Sequence, residues 1–151
     1  MLRQAFAERL KEAMKARDSR TISTVRLILA GLKERDVAAR GQTKSEGISD
    51  DEARRMLQAM IKQRRESIAL YEKGNRADLV QQELEEIAVI ESFLPRQLDE
   101  AGIEAAAKAA IAETGAAKMS DMGKVMAALR ERHAGAIDLG RAGAIVRRLL
   151  G

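Results

Sequence analysis

Apolar side chains recur at steps of three and four residues along nearly the whole of this 151-residue chain, and no run alternates with period two over strand length. A 3.6-residue period gathers side chains on one stripe of a helix, whereas a half-buried strand needs strict alternation. The chain is therefore expected to be all-α, without a sheet.

The stripes set the expected elements. Leu2, Phe6, Leu10, Ala13 and Met14 predict a first helix over about 2–16. Asp18 and Ser19 can cap a second, whose stripe Ile22, Val25, Ile28, Leu29 and Leu32 runs to about Arg40, with Gly41 as a left-handed stop. Residues 41–48 read as a mobile polar loop. Ser49 followed by Glu52 fits a capping box. The stripe Ala53, Met56, Leu57, Met60, Ile61, Ile68 and Tyr71 then carries a helix to about Lys73. Gly74-Asn75 breaks it, and a fourth helix follows with Leu79, Val80, Leu84, Ile87, Ile90 and Phe93 inward, so helices three and four form an antiparallel hairpin.

Pro95 is the single proline; it removes a helical donor and pushes Leu94 out of the α region. We place a boundary there, between a helical N-terminal lobe containing the hairpin (1–94) and a small three-helix C-terminal tail lobe (95–151). The tail helices are expected over about 99–114, 120–133 and 138–150, capped by Asp99, Ser120 and Asp138 and separated by Gly115 and Gly135.

Composition narrows the chemistry. With no Cys, disulfides and thiolate metal sites are excluded. The N-terminus is amphipathic, without the apolar stretch of a signal peptide, and no apolar run approaches the roughly 20 residues of a membrane span. A cytoplasmic protein with no membrane association is expected. The one His, His133, falls where the sixth helix ends, so capping or plain exposure is expected of it rather than catalysis. Glu83, Glu85, Glu86 and Glu91 read as a solvated helix face, and no nucleotide-cradling glycine motif exists. Met56, Met60, Met122 and Met126 read as core filler, with Met119 outside it. Gly31, Gly102, Gly123 and Gly143 read as places of close helix approach, with backbone access for a ligand as the sharper reading at Gly123. The expectation is no catalytic residue, no metal and no cofactor.

Charge is where the sequence says most. Net charge is +4, and it is uneven. Residues 53–65 hold five bases (Arg54, Arg55, Lys62, Arg64, Arg65) and no acid, so they either pair with the Glu-rich fourth helix or bind an anion. From residue 118 onward seven bases face three acids, and Lys118, Lys124, Arg130, Arg141, Arg147 and Arg148 are the candidate nucleic-acid contacts. Lys124 is expected one turn into a helix whose free N–H groups favour an anion.

Three stretches carry a resemblance: RLILAGLKERD (26–36), the run from Gln63 to Leu98 ending in Phe93-Leu94-Pro95-Arg96-Gln97-Leu98, and ETGAAKMSDMGKVM (113–126). Together they resemble the GatB/YqeY domain family over essentially the whole chain. The resemblance implies an all-α fold with a small helical tail, of the kind that closes the GatB chain of the tRNA-dependent amidotransferase and there grips tRNA. That enzyme amidates Glu-tRNA(Gln) or Asp-tRNA(Asn) with glutamine as nitrogen donor, through a Mg²⁺- and ATP-dependent cradle that has no counterpart in this chain. Carbon–nitrogen ligase activity with a glutamine amido donor is thus a family label, not expected of this chain alone. Asp138-Leu139-Gly140-Arg141 departs from the family pattern, keeping the charge at a different spacing. Two functional expectations follow. One is a non-catalytic tRNA-binding accessory module. The other is a protein-interaction module docking onto an aminoacyl-tRNA synthetase or amidotransferase complex. Only three aromatic residues, Phe6, Tyr71 and Phe93, argue against single-stranded RNA, which is held by base stacking.

Overall fold

The computed structural model describes residues 1–41 and 47–151. Among them are seven α-helices and no strand: α1 (Leu2–Ala16), α2 (Ser19–Arg40), α3 (Asp50–Lys73), α4 (Ala77–Glu91), α5 (Glu100–Thr114), α6 (Met122–Arg132) and α7 (Leu139–Leu150). A single 3₁₀ turn, Met119–Asp121, precedes α6. The helices fall into two compact units, Met1–Leu94 and Pro95–Gly151.

In the first unit the starts are set by side chains that satisfy orphan amides. The Asp18 carboxylate accepts the Thr21 N–H at 3.1 Å, and Ser49 Oγ accepts the Glu52 N–H at 3.2 Å. Glu52 in turn receives the Ser49 hydroxyl at 3.4 Å. Gly41 stays right-handed at φ −65°, so α2 ends without the expected left-handed stop. The expected mobile loop lies mostly at 42–46, outside the described residues. Its far end, though, is buried: Ile48 is 8 % exposed. Ile48 gives its N–H to Asp36 Oδ1 at 2.9 Å and its carbonyl accepts from Arg3 Nη2 at 2.8 Å. Arg3 closes the triangle with a two-pronged grip on the Asp36 carboxylate, Nη2 to Oδ1 at 2.7 Å and Nη1 to Oδ2. This grip and the Ile48 N–H hold Asp36 below the usual carboxylate range.

The core of this unit gathers Leu2, Phe6, Ile28, Leu32, Met56, Leu57, Ile61, Ile87 and Ile90. Phe6 and Phe93 meet edge to face, with ring centroids 4.8 Å apart and planes at 88°. Burying each such side chain stabilises the fold by about 1.5–3 kcal/mol. Helix α4 packs on both α3 and α2, and this moves its buried face. The buried arc runs through Glu86, Ile87, Val89 and Ile90. Leu84, expected inward, stands roughly 120° from Ile90 at about 100° per residue and is 45 % exposed.

That rotation also overturns the solvated reading of the glutamates. Glu85 and Glu91 do face water, but the Glu83 and Glu86 side chains are 16 % and 12 % exposed. Arg64 of α3, itself 12 % exposed, reaches Glu86 at 3.0 Å and Glu83 at 4.0 Å. Arg20 of α2 meets Glu85 at 3.1 Å and Glu86 at 3.8 Å. Burial, with the charge of Glu86 beside it, pushes the Glu83 carboxyl upward.

The second unit packs α5, α6 and α7 on one another around Ile103, Ala107, Ala110, Val125, Leu129, Ile137, Ala142, Ile145 and Val146. Small side chains on α5 let the helices approach closely. Asp99 caps α5 through the Gly102 N–H at 2.8 Å, and Asp138 caps α7 through the Gly140 and Arg141 N–H groups at 2.9 and 3.2 Å. Gln97 ties its side chain to the Gly135 carbonyl, and the Leu98 N–H donates to the Ala136 carbonyl at 2.8 Å.

Candidate nucleic-acid interface

The six candidate bases all sit on the surface of the second unit. Lys118 immediately precedes the 3₁₀ turn, Lys124 lies in the first turn of α6 and Arg130 in its last. Arg141 is in the first turn of α7, and Arg147 and Arg148 are in its last. Their exposure follows from the stripe they interrupt: α7 buries Ala142, Gly143, Ile145 and Val146, and the arginines take the positions between. Arg141 and Arg148 are seven residues apart, two turns on one face.

Ion pairs separate these bases into two groups. Arg148 meets Glu104 of α5 at 3.3 Å, and Lys108 shares that carboxylate at 3.4 Å. Arg132 pairs with Glu113. Lys118, Lys124, Arg130, Arg141 and Arg147 form no salt bridge among the described residues. Sequence reasoning that began at residue 118 missed Glu104 and Glu113, which lie upstream on α5. Counted whole, Pro95–Gly151 holds nine bases and seven acids. The basic character is therefore a property of the α6–α7 surface, not of the unit.

The approach to α6 differs from expectation. Ser120 caps nothing; it lies inside the 3₁₀ turn and is exposed. Asp121 does the local work, its carboxylate accepting the Ala117 N–H at 3.0 Å and the Lys118 N–H at 3.3 Å, which keep it below the usual carboxylate range. Since that carboxylate points upstream, α6 begins with no side-chain cap on its own first-turn amides. A Cβ at Gly123 would meet nothing within 4 Å, so no helix approaches there. Close approach does hold elsewhere: a Cβ at Gly143 would stand 3.7 Å from the Met122 methyl, and one at Gly31 would stand 3.4 Å from the Met56 sulfur.

On α3 the basic run resolves mainly into pairing. Arg64 and Arg65 meet Glu86 and Glu91 of α4, at 3.0 and 3.3 Å, and Arg54 meets Asp51 at 2.7 Å. Arg55 and Lys62 remain exposed. His133 ends α6, its N–H on the Leu129 carbonyl at 3.0 Å and its own carbonyl accepting from Ala136 at 2.9 Å. Among the described residues no group of three His, Asp or Glu side chains could hold a metal ion, and no helix is long and apolar enough to cross a membrane.

Three yeast relatives, each named altered inheritance of mitochondria protein 41, mitochondrial, share part of the chain. The protein from Lachancea thermotolerans is 36% identical over 85 residues, which is 56% of this chain and 43% of its own length. Those from Kluyveromyces lactis and Eremothecium gossypii are 32% and 33% identical over 89 and 85 residues, covering 59% and 56% of this chain and 46% and 44% of their own lengths. The chain thus spans less than half the length of these relatives. The model of the Yqey-like protein family matches residues 3–150, nearly every residue of both units, and the chain belongs to that family.

Proposed function

We propose that this chain is a non-catalytic tRNA-binding accessory module related to the tRNA-dependent amidotransferase, and that its α6–α7 surface meets RNA phosphates. The observation that carries the reading is the contrast between the units. Of the five α3 bases of the first, three are held by carboxylates, Arg64 and Arg65 by α4 and Arg54 by Asp51, whereas Lys118, Lys124, Arg130, Arg141 and Arg147 of the second stand exposed without a salt bridge among the described residues. Such unpaired bases release counterions from a phosphate backbone and position structured RNA without reading its bases. The proposed place of action is the compartment in which tRNA is charged: the cytoplasm for this chain, as mitochondria are named for its yeast relatives.

A filter-binding titration with bulk tRNA at two salt concentrations tests this. If about four phosphates are neutralised, log K falls with log salt at a slope of roughly −3. The double variant Lys124→Glu, Arg147→Glu is expected to weaken binding and flatten the slope. One observation favours a second reading, docking onto a synthetase or amidotransferase complex: Met119, beside Lys118, is 43 % exposed. Unchanged tRNA affinity in the folded double variant would shift the balance to that reading, in which Met119→Asp is the damaging change.

A further inference from the structure

We propose that the outer seam between α1 and α2 docks an acidic amphipathic helix supplied by another protein. The two helices pack as an antiparallel pair, and the Arg3–Asp36 grip fixes their register. From that grip the seam runs toward the turn at Arg17 and Asp18. Leu10 follows Arg3 by seven residues on α1; Leu29 and Ile22 follow Asp36 by one and two such steps on α2. Seven residues make nearly two full turns, so these side chains stay within about 40° of the Arg3–Asp36 line.

The seam is apolar and only half covered. Leu10, Ile22 and Leu29 are half-buried, and Leu29 also packs on the core. Met14, about 20° round α1 from Arg3, is 52 % exposed, and a thioether on an open helix face adapts readily to a partner. On the facing wall Arg26 and Lys33 lie about 60–80° round α2 from Asp36, two turns or about 10.5 Å apart. Both are exposed and form no salt bridge among the described residues. Glu8, Glu12 and Glu34 stand about 140–180° away round their helices, and Asp18 is spent as the α2 cap. Residues 1–41 hold ten bases and five acids, so the field over the seam is positive.

This combination selects the partner. A phosphate backbone would meet Arg26 and Lys33 but leave Leu10, Leu29 and Met14 uncovered. A flat bilayer surface does not reach side chains recessed between two helices. An amphipathic helix satisfies both features: its apolar ridge lies along the seam, and carboxylates at seven-residue steps on its flank meet the two bases. Charge complementarity makes that flank acidic. The seam lies in the first unit and is independent of the RNA-binding reading of the second.

Methyl NMR of the full chain tests the seam, with a capped helical peptide of about 16 residues as probe. The peptide carries one leucine stripe with glutamates elsewhere, and its counterpart has lysine for every glutamate. The Leu10, Ile22, Leu29 and Met14 methyls should shift saturably with the acidic peptide, at a Kd of about 100 µM or tighter. Met119, on the α6–α7 surface, should not. The lysine peptide should bind at least about tenfold more weakly. The double variant Arg26→Glu, Lys33→Glu should lose about tenfold in affinity at an unchanged melting temperature. Met14→Asp, which keeps both bases, should lose about fivefold. No saturable shift up to about 1 mM, equal response to the two peptides, Met119 shifts that saturate in parallel, or undiminished binding in the folded double variant would each overturn the proposal. Shifts of the seam methyls with phosphatidylglycerol vesicles or bulk tRNA, but not with the peptide, would overturn it in favour of a bilayer or RNA.

Discussion

Arg64 of α3 and Glu86 of α4 are joined by a 3.0 Å contact between side chains that are each only 12 % exposed. A pair so enclosed has lost most of its hydration, so each charge depends on the other. Arg64→Met would leave Glu86 and Glu83 facing each other, with only the longer Arg20 contact to offset them. A loss of about 3 kcal/mol is expected, seen as a lower urea midpoint. The double variant Arg64→Met, Glu86→Leu should recover most of it, since apolar residues of similar size suit the site. A double variant as unstable as the single one would show that Arg64 acts through something other than this pair.

Glu83 predicts a pH dependence of opposite sign to the usual carboxylate. Burial first, and the neighbouring Glu86 charge second, raise its pKa in the folded chain. A raised folded pKa means the native state binds that proton more tightly than the unfolded chain. Its favourable contribution is full below the unfolded value, near 4, and is lost as pH rises through the folded value. At neutral pH the ionised group therefore weakens the fold. Glu83→Gln should raise the melting temperature at pH 7, by a change within about 1 kcal/mol, and the gain should vanish near pH 4. A gain that is constant with pH would refute the titration argument.

Gly47 should tolerate no side chain. Its φ is +86°, and an added Cβ would stand 2.3 Å from Asp36 Oδ1 and 3.0 Å from Arg3 Nη2. Gly47→Ala meets both backbone strain and displacement of the Arg3–Asp36 grip, and about 2–3 kcal/mol should be lost. Chemical denaturation measures it. A loss no larger than that of an exposed helix substitution would mean the grip relaxes freely.

The turn before α6 offers a paired comparison. Asp121→Ala removes the acceptor of two loop amides, so it should lower the melting temperature. Ser120→Ala should leave it unchanged. The reverse order would reinstate Ser120 as the cap.

Helix positions were legible because their determinants are local. Asp18, Ser49, Asp99 and Asp138 each cap an amide within three residues of themselves. Misreadings arose where two local signals competed or a distant partner decided. Ser120 and Asp121 both satisfy cap preferences, and only the loop path through Ala117 and Lys118 selects the acid. Leu84 and Glu86 look wrongly placed in a sequence because the buried arc of α4 is set by contact with both α2 and α3. The candidate bases were found by composition, but the pairing of Arg148 required knowing that Glu104 of α5 stands beside α7. No spacing rule links Arg3, Asp36 and Ile48, which lie far apart in sequence and meet only in the fold.

The edge-to-face contact of Phe6 with Phe93 has a consequence for biosynthesis. The two rings belong to the opening and closing stretches of one unit, about 90 residues apart. At about 5–20 residues per second, a ribosome takes roughly 4–17 s to supply the second ring after the first. Through that interval Phe6 and the α2 residues Ile28 and Leu32 of its core cluster have emerged while its aromatic partner has not been made. The core of the first unit can therefore be completed, with both rings in contact, only once translation has reached the end of α4 and Phe93.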